Sequence, residues 1–145
     1  MDISVMEKHD TLHKILSLQC FEPIDRHFAQ LMVRLAGDSA SQELAIAALL
    51  ASSRTAQGDI CTRLGNLAGR QLADVINEIT GLEDTECPSI NIPELDTLTR
   101  SLEASGVVGS AGMLGYERLP LVIDSNGNLY MYRYWQYEII INEWI

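Results

Sequence analysis

Lysine is nearly missing from this chain. Lys8 and Lys14 are its only two, arginine supplies the rest of the ten basic side chains, and twenty acidic ones oppose them for a formal net charge of −10. The arginines are scattered from Arg26 to Arg133 without a cluster. Phosphate is repelled by such a chain, so direct binding to nucleic acid or to an anionic membrane surface is not expected. No Gly-x-x-x-x-Gly-Lys-Ser/Thr occurs, which removes the loop that would cradle a nucleoside triphosphate. No apolar run approaches the ~20 residues needed to span a bilayer, and MDISVMEKHD has no apolar core of a signal peptide. Cysteine is sparse too: Cys20, Cys61 and Cys87 are odd in number and far apart, without zinc-site or disulfide-scaffold spacing. A soluble, cytoplasmic protein without a membrane segment is the expectation.

What is present suffices for one domain of 145 residues, with 47% hydrophobic side chains to build a core. From about Met6 to Leu18, Leu12, Ile15 and Leu16 mark a helical face that Phe21-Glu22-Pro23 breaks. In PIDRHFAQLMVRLAGD, Asp25 fits a helix N-cap, and Gly37 stands where a C-terminal cap belongs. Phe28, Leu31, Met32 and Leu35 recur there at i, i+3, i+4 and i+7, the clearest amphipathic pattern in the chain. SQELAIAALLASSRTAQG, rich in alanine around Leu44, Leu49 and Leu50, reads as a central helix closed by Gly58. TRLGNLAGRQLADVINEIT reads as helical with interruptions at Gly65 and Gly69. An acidic loop, GLEDTECPSINI, precedes a helix that begins with Pro93, runs through Leu95, Leu98 and Leu102, and ends near Gly106.

The helical part therefore covers about residues 6–105. GVVGSAGMLG, within about 106–116, has glycines at 106, 109, 112 and 115 and reads as a mobile connector. Hairpin and final helix occupy about 117–145. Leu121-Val122-Ile123 and Leu129-Tyr130-Met131-Tyr132 flank Asp124-Ser125-Asn126-Gly127-Asn128, the signature of a β-hairpin. Tyr134 onward returns to helical spacing, with Ile139, Ile140, Ile141, Trp144 and Ile145 apolar on several sides. Such a helix needs a covering surface, so the expectation is that the natural protein continues, or that the fragment self-associates. The predicted fold class is mainly α: a bundle of about five helices with a C-terminal β-hairpin leading into a truncated helix.

Chemistry is hard to find. His9 and His13, four apart on a helix, lack a third ligand partner such as HExxH or a nearby cysteine, so no metal site is read. Ser52 and Ser53 follow an alanine helix without a nucleophile elbow. Asp124 and Glu138 have no pocket to make them an acid–base pair, and Cys61 with His27 reads as packing. Tyr130, Tyr132, Tyr134, Trp135 and Tyr137 suggest a base-stacking platform, but Arg133 is their only cation, and core or interface packing fits better. No catalytic, metal or cofactor-binding residue is assigned.

IDRHFAQLMVRLAG, ELAIAALLASSRTAQGDICTRL and LPLVIDSNGNLYMYRYWQYE together resemble the N-terminal region of RecD, the alpha subunit of exodeoxyribonuclease V (the RecBCD complex), over about residues 22–70 and 117–145. Asp25 and Phe28 match the start of the family's second helix, Gly58 and Cys61 its Gly-x-x-Cys segment, and Tyr130, Arg133, Trp135 and Glu138 its hairpin exit. These eight are expected to be structural or interface residues, Trp135 anchoring the hairpin on the helical core. Asp59 and Thr62 depart from the family pattern, where histidine and leucine are frequent.

The resemblance implies a non-catalytic assembly domain of a 5′-3′ DNA helicase subunit that acts in double-strand-break repair and recombination. Its implied partners are RecC-like and RecB-like subunits and the subunit's own motor domains, in which ATP and magnesium would bind. Two other readings stand beside it. A free-standing regulator with a winged-helix-like hairpin requires a basic recognition surface, and a small enzyme requires a convergent pocket.

Overall fold

The computed structural model describes residues 3–81, 87–110 and 119–131, with side chains from Asp10 onward. Five α-helices dominate: α1 (Ile3–Leu16), α2 (Pro23–Ala36), α3 (Gln42–Ala56), α4 (Leu72–Thr80) and α5 (Leu95–Ala104). Four short strands accompany them: β1 (Thr62–Arg63), β2 (Val108–Ser110), β3 (Leu121–Ile123) and β4 (Asn128–Met131). Single 3-10 turns follow α2 at Gly37–Ser39 and β1 at Leu64–Asn66. The fold is mainly α with a small sheet, as the sequence predicts.

Helix α3 is the axle of the bundle. Its N-terminus is fixed by Ser41, whose Oγ accepts the Leu44 backbone N–H at 3.1 Å, a cap typically contributing ~1 kcal/mol. Every residue from Leu44 to Ser53 is buried. That is possible because alanines on most faces let α1, α2, α5, β1 and β4 pack against it. Leu12 and Ile15 from α1, Met32 from α2, Leu98 and Leu102 from α5, and Leu121 and Leu129 from the sheet close one continuous core.

Helix α2 starts earlier than its sequence suggests. Glu22, in extended conformation, is the N-cap, Pro23 takes the first turn, and Asp25 sits at N3. Proline's fixed φ and missing N–H suit that first position, and the Asp25 carboxylate reaches back to the Glu22 N–H at 3.3 Å. Asp25 is thus a capping residue of the first turn, not the N-cap.

The stretch 62–69 is not helical. Thr62 and Arg63 pair antiparallel with Leu129 and Asn128 of β4. Leu64 then donates its N–H to Gly127 O at 3.0 Å, and one 3-10 turn leads into Gly69 at φ 75°. The Gly69 N–H is shared by the carbonyls of Ile92 (2.9 Å) and Pro93 (3.1 Å), so cross-chain bonds replace helical ones. Helix α4 begins only at Leu72 and closes with Gly81 in the left-handed region, its N–H on Asn77 O at 2.8 Å.

The glycine segment is also more ordered than its composition suggests. After Gly106 at φ 81°, Val107 and Val108 are buried, and β2 runs parallel to β3 in the register Val108–Leu121, Gly109–Val122, Ser110–Ile123. The two valines supply what the glycines lack, apolar side chains worth ~1.5 kcal/mol or more each on burial. Residues 111–118 lie outside the described residues.

The hairpin forms as expected, β3 against β4 with Leu121–Met131, Val122–Tyr130 and Ile123–Leu129 as partners. Asp124 organises its turn: Oδ1 accepts the N–H groups of Asn126 and Asn128, both at 2.9 Å, and Oδ2 accepts Asn128 Nδ2 at 3.1 Å. Gly127 supplies the positive φ of 76°. The sheet order β1-β4-β3-β2 puts this hairpin in the middle of four strands. The expected final helix, with Arg133, Trp135 and Glu138, lies outside the described residues.

Candidate functional site

Asp25 is the most deeply placed acid among the described residues, at 2% exposure, and it is held by two elements at once. While Oδ2 caps α2, Oδ1 accepts the Ser52 hydroxyl of α3 at 2.5 Å. A buried polar atom left without a partner costs ~1–3 kcal/mol, so this pair fixes the register of α2 on α3. Ser52 is itself buried, and its hydroxyl is taken up by the bond that ties the two helices together. The alanine-helix serine was therefore the partner of the family-matching aspartate, a pairing of residues 27 apart in sequence that only the fold reveals.

Phe28, one turn on, is half-buried against the core. Around it the outer face of α2 is apolar: Ile24 is 67%, Leu31 45% and Leu35 58% exposed. Of the apolar face read from the sequence only Met32 is fully buried, because Asp25, Ala29 and Met32 form the side that meets α3. The small Ala29 brings the helices close and rotates the larger leucines outward. Ile24, Phe28, Leu31 and Leu35 recur at spacings of four, three and four residues, which is one stripe along the helix. The exposed His27 and Arg34 lie along one margin of that stripe.

Gly58 and Cys61 line a surface cleft of about 410 Å³ together with Arg54, Ile60 and Thr62. Gly58 needs its glycine, since φ is 101°. Arg54 and Asp59 face each other at 3.5 Å across the cleft mouth, and Ile60 is 54% exposed. Thr62 is 3% exposed, and its Oγ1 has no hydrogen-bond partner among the described residues. Tyr130 is buried in β4, opposite Val122 of β3 and next to Leu129, the pairing partner of the cleft residue Thr62. The family-matching residues that are described thus lie on α2, in the α3–β1 connection and on β4, while Arg133, Trp135 and Glu138 fall outside the described residues.

A second cleft, of about 590 Å³, lies between α5 and the β3–β4 turn and includes Leu95, Arg100, Glu103 and Asp124. Its aspartate is committed to the turn by three hydrogen bonds. Among the described residues no three His, Cys, Asp or Glu side chains are grouped to hold a metal ion, and no helix is long and apolar enough to cross a membrane. The feature that distinguishes this surface is apolar rather than catalytic. Single exposed hydrophobics are ordinary, but three on one helical stripe make a contiguous apolar patch.

Comparison with known proteins bears on what that face serves. Residues 17–130 match the family described as RecBCD enzyme subunit RecD, N-terminal domain. No curated protein matches the chain with the significance required of a relative.

Proposed function

Because this chain belongs to the RecD N-terminal domain family, we propose that it is an assembly domain without catalytic residues of its own, which attaches a RecD-like helicase motor to a RecC-like subunit. The observation that carries this reading is the family match over residues 17–130, which takes in every helix from α2 to α5 and all four strands except the end of β4. The net charge of −10 supports it, because a docking domain has no need to attract phosphate. So does the missing phosphate-binding loop: ATP and magnesium belong to motor domains of such a subunit, and the nuclease centre to the RecB-like one.

In this reading the protein acts in the cytoplasm in double-strand-break repair and recombination. Its eight family-matching residues, Asp25, Phe28, Gly58, Cys61, Tyr130, Arg133, Trp135 and Glu138, serve packing and contact. The test is co-expression with the RecC-like subunit of the same genome, followed by affinity purification through that subunit. The two should co-elute at a fixed stoichiometry, and the 145-residue chain alone should show no DNA-dependent ATP turnover. Failure to co-elute, or ATP turnover by the purified chain, would overturn the reading.

A further inference from the structure

Five large apolar side chains stand exposed among the described residues, and three of them, Ile24, Leu31 and Leu35, are on α2. With Phe28 between them they form a ridge about three turns long, flanking the side of the helix that buries Ala29 and Met32. The charges around this ridge differ from those of the molecule as a whole. Asp25, the helix's one acid, is turned inward and bonded to Ser52 and Glu22, so it contributes nothing to the outer face. His27 and Arg34 are exposed along the ridge, Arg26 is half-exposed behind it, and the exposed acids, Glu22 and Asp38, stand only beyond the two ends of the helix. In a chain of net charge −10, the exposed face of α2 is therefore an apolar stripe with Arg34 and the imidazole of His27 beside it and no acid within the helix on that face.

We propose that this face of α2 is the contact face of the domain, and that its occupant is an apolar groove on the partner subunit with aspartate or glutamate side chains along one rim. The inference rests on the docking reading above and specifies its surface. Ridge and groove supply the affinity, since anchors that leave water completely dominate an interface. The rim charge supplies direction: acids on the partner are attracted to Arg34 and repelled by the rest of this acidic chain, so the domain approaches with α2 foremost. Charge complementarity also separates this occupant from the others. A nucleic acid would bring phosphates to a chain of net charge −10 with a single exposed arginine beside the ridge, and a second copy would bring one acidic body to another.

Titration calorimetry of the chain with the purified RecC-like subunit tests this. The variants are Leu31→Glu, Leu35→Glu and Arg34→Glu, with Leu95→Glu on α5 as comparator; all four positions are exposed. Leu31→Glu and Leu35→Glu should each weaken binding about tenfold or more, as for central contact residues. Arg34→Glu should weaken it about three- to tenfold at low salt and less at high salt, and Leu95→Glu should bind like the parent within about twofold. Circular dichroism checks folding, and Leu31→Ser and Leu35→Ser replace any variant that loses its helix signal. Parent binding with unchanged affinity in the α2 variants overturns the surface and leaves the docking reading standing. No parent binding at all overturns the docking reading, and the named occupant with it. Sedimentation gives the third arm: a parent dimer that the α2 variants dissociate assigns the ridge to a second copy and overturns the proposal.

Discussion

Helices α2 and α3 are nearly equal in length, 14 and 15 residues, and both are rich in apolar side chains, yet they use them in opposite ways. Helix α3 buries ten successive residues, Leu44 to Ser53, and reaches the surface only at its two ends. Helix α2 buries Asp25, Ala29 and Met32, and leaves Ile24, Leu31 and Leu35 in water. Apolar content therefore does not say which residues make the core. Small residues decide it, because Ala45, Ala47 and Ala48 let α3 be approached from all sides, whereas Ala29 gives α2 just one close side.

The comparison breaks first on the central leucines. Leu50→Ala in α3, fully buried, should destabilise the domain by ~2–5 kcal/mol in denaturant unfolding, whereas Leu35→Ala in α2 should stay within ~0.5 kcal/mol of the parent. Equal losses would mean that the two helices do not differ as described. The link between them comes next. Asp25→Ala strands the Ser52 hydroxyl and uncaps α2, and should cost roughly 1–3 kcal/mol. The double variant Asp25→Ala/Ser52→Ala should lose less than the sum of the two single changes, which a double-mutant cycle reads directly.

Smaller effects sharpen the same contrast at the helix ends. Ser41→Ala removes the α3 cap and should cost ~1 kcal/mol, visible as a lower midpoint at unchanged slope. Smallest of all is the exposed ion pair Lys14–Asp10 on α1, four residues apart and largely in water. Lys14→Ala should change stability by well under ~1 kcal/mol, less still at high salt.

The helices were legible where side chains carry local instructions. Pro23 marks the start of α2, whereas Pro93, read as the first turn of a helix, precedes the cap Glu94 and α5 begins only at Leu95; alanine and leucine fill α3, and Asn126-Gly127 announces the hairpin through the one residue type that takes φ 76° without strain. What was not legible depends on partners far away in sequence. Thr62-Arg63 and Val108–Ser110 are two and three residues long, too short to show a period of two, and become strands only because β4 and β3 lie beside them. Asp25 was misplaced by three positions relative to the true cap Glu22, since an aspartate ahead of an apolar run satisfies both N-cap and N3 chemistry. Of the candidate site, Phe28 was readable by resemblance, but the outward turn of Leu31 and Leu35 was not. Their spacing from Phe28 is the same whether the stripe faces the core or the solvent, and only the packing of Ala29 and the Asp25–Ser52 bond decide which.

The contrast between a helix buried along its middle and one proposed to dock on a partner is tested most directly by hydroxyl-radical footprinting of the chain alone and mixed with the RecC-like subunit. Oxidation of Phe28, Leu31 and Leu35 is predicted to fall about tenfold in the complex, with Leu95 oxidised as before and Leu49 and Leu50 protected in both states. Unchanged oxidation on α2, with protection appearing instead at Ile60 or Leu95, would contradict the account.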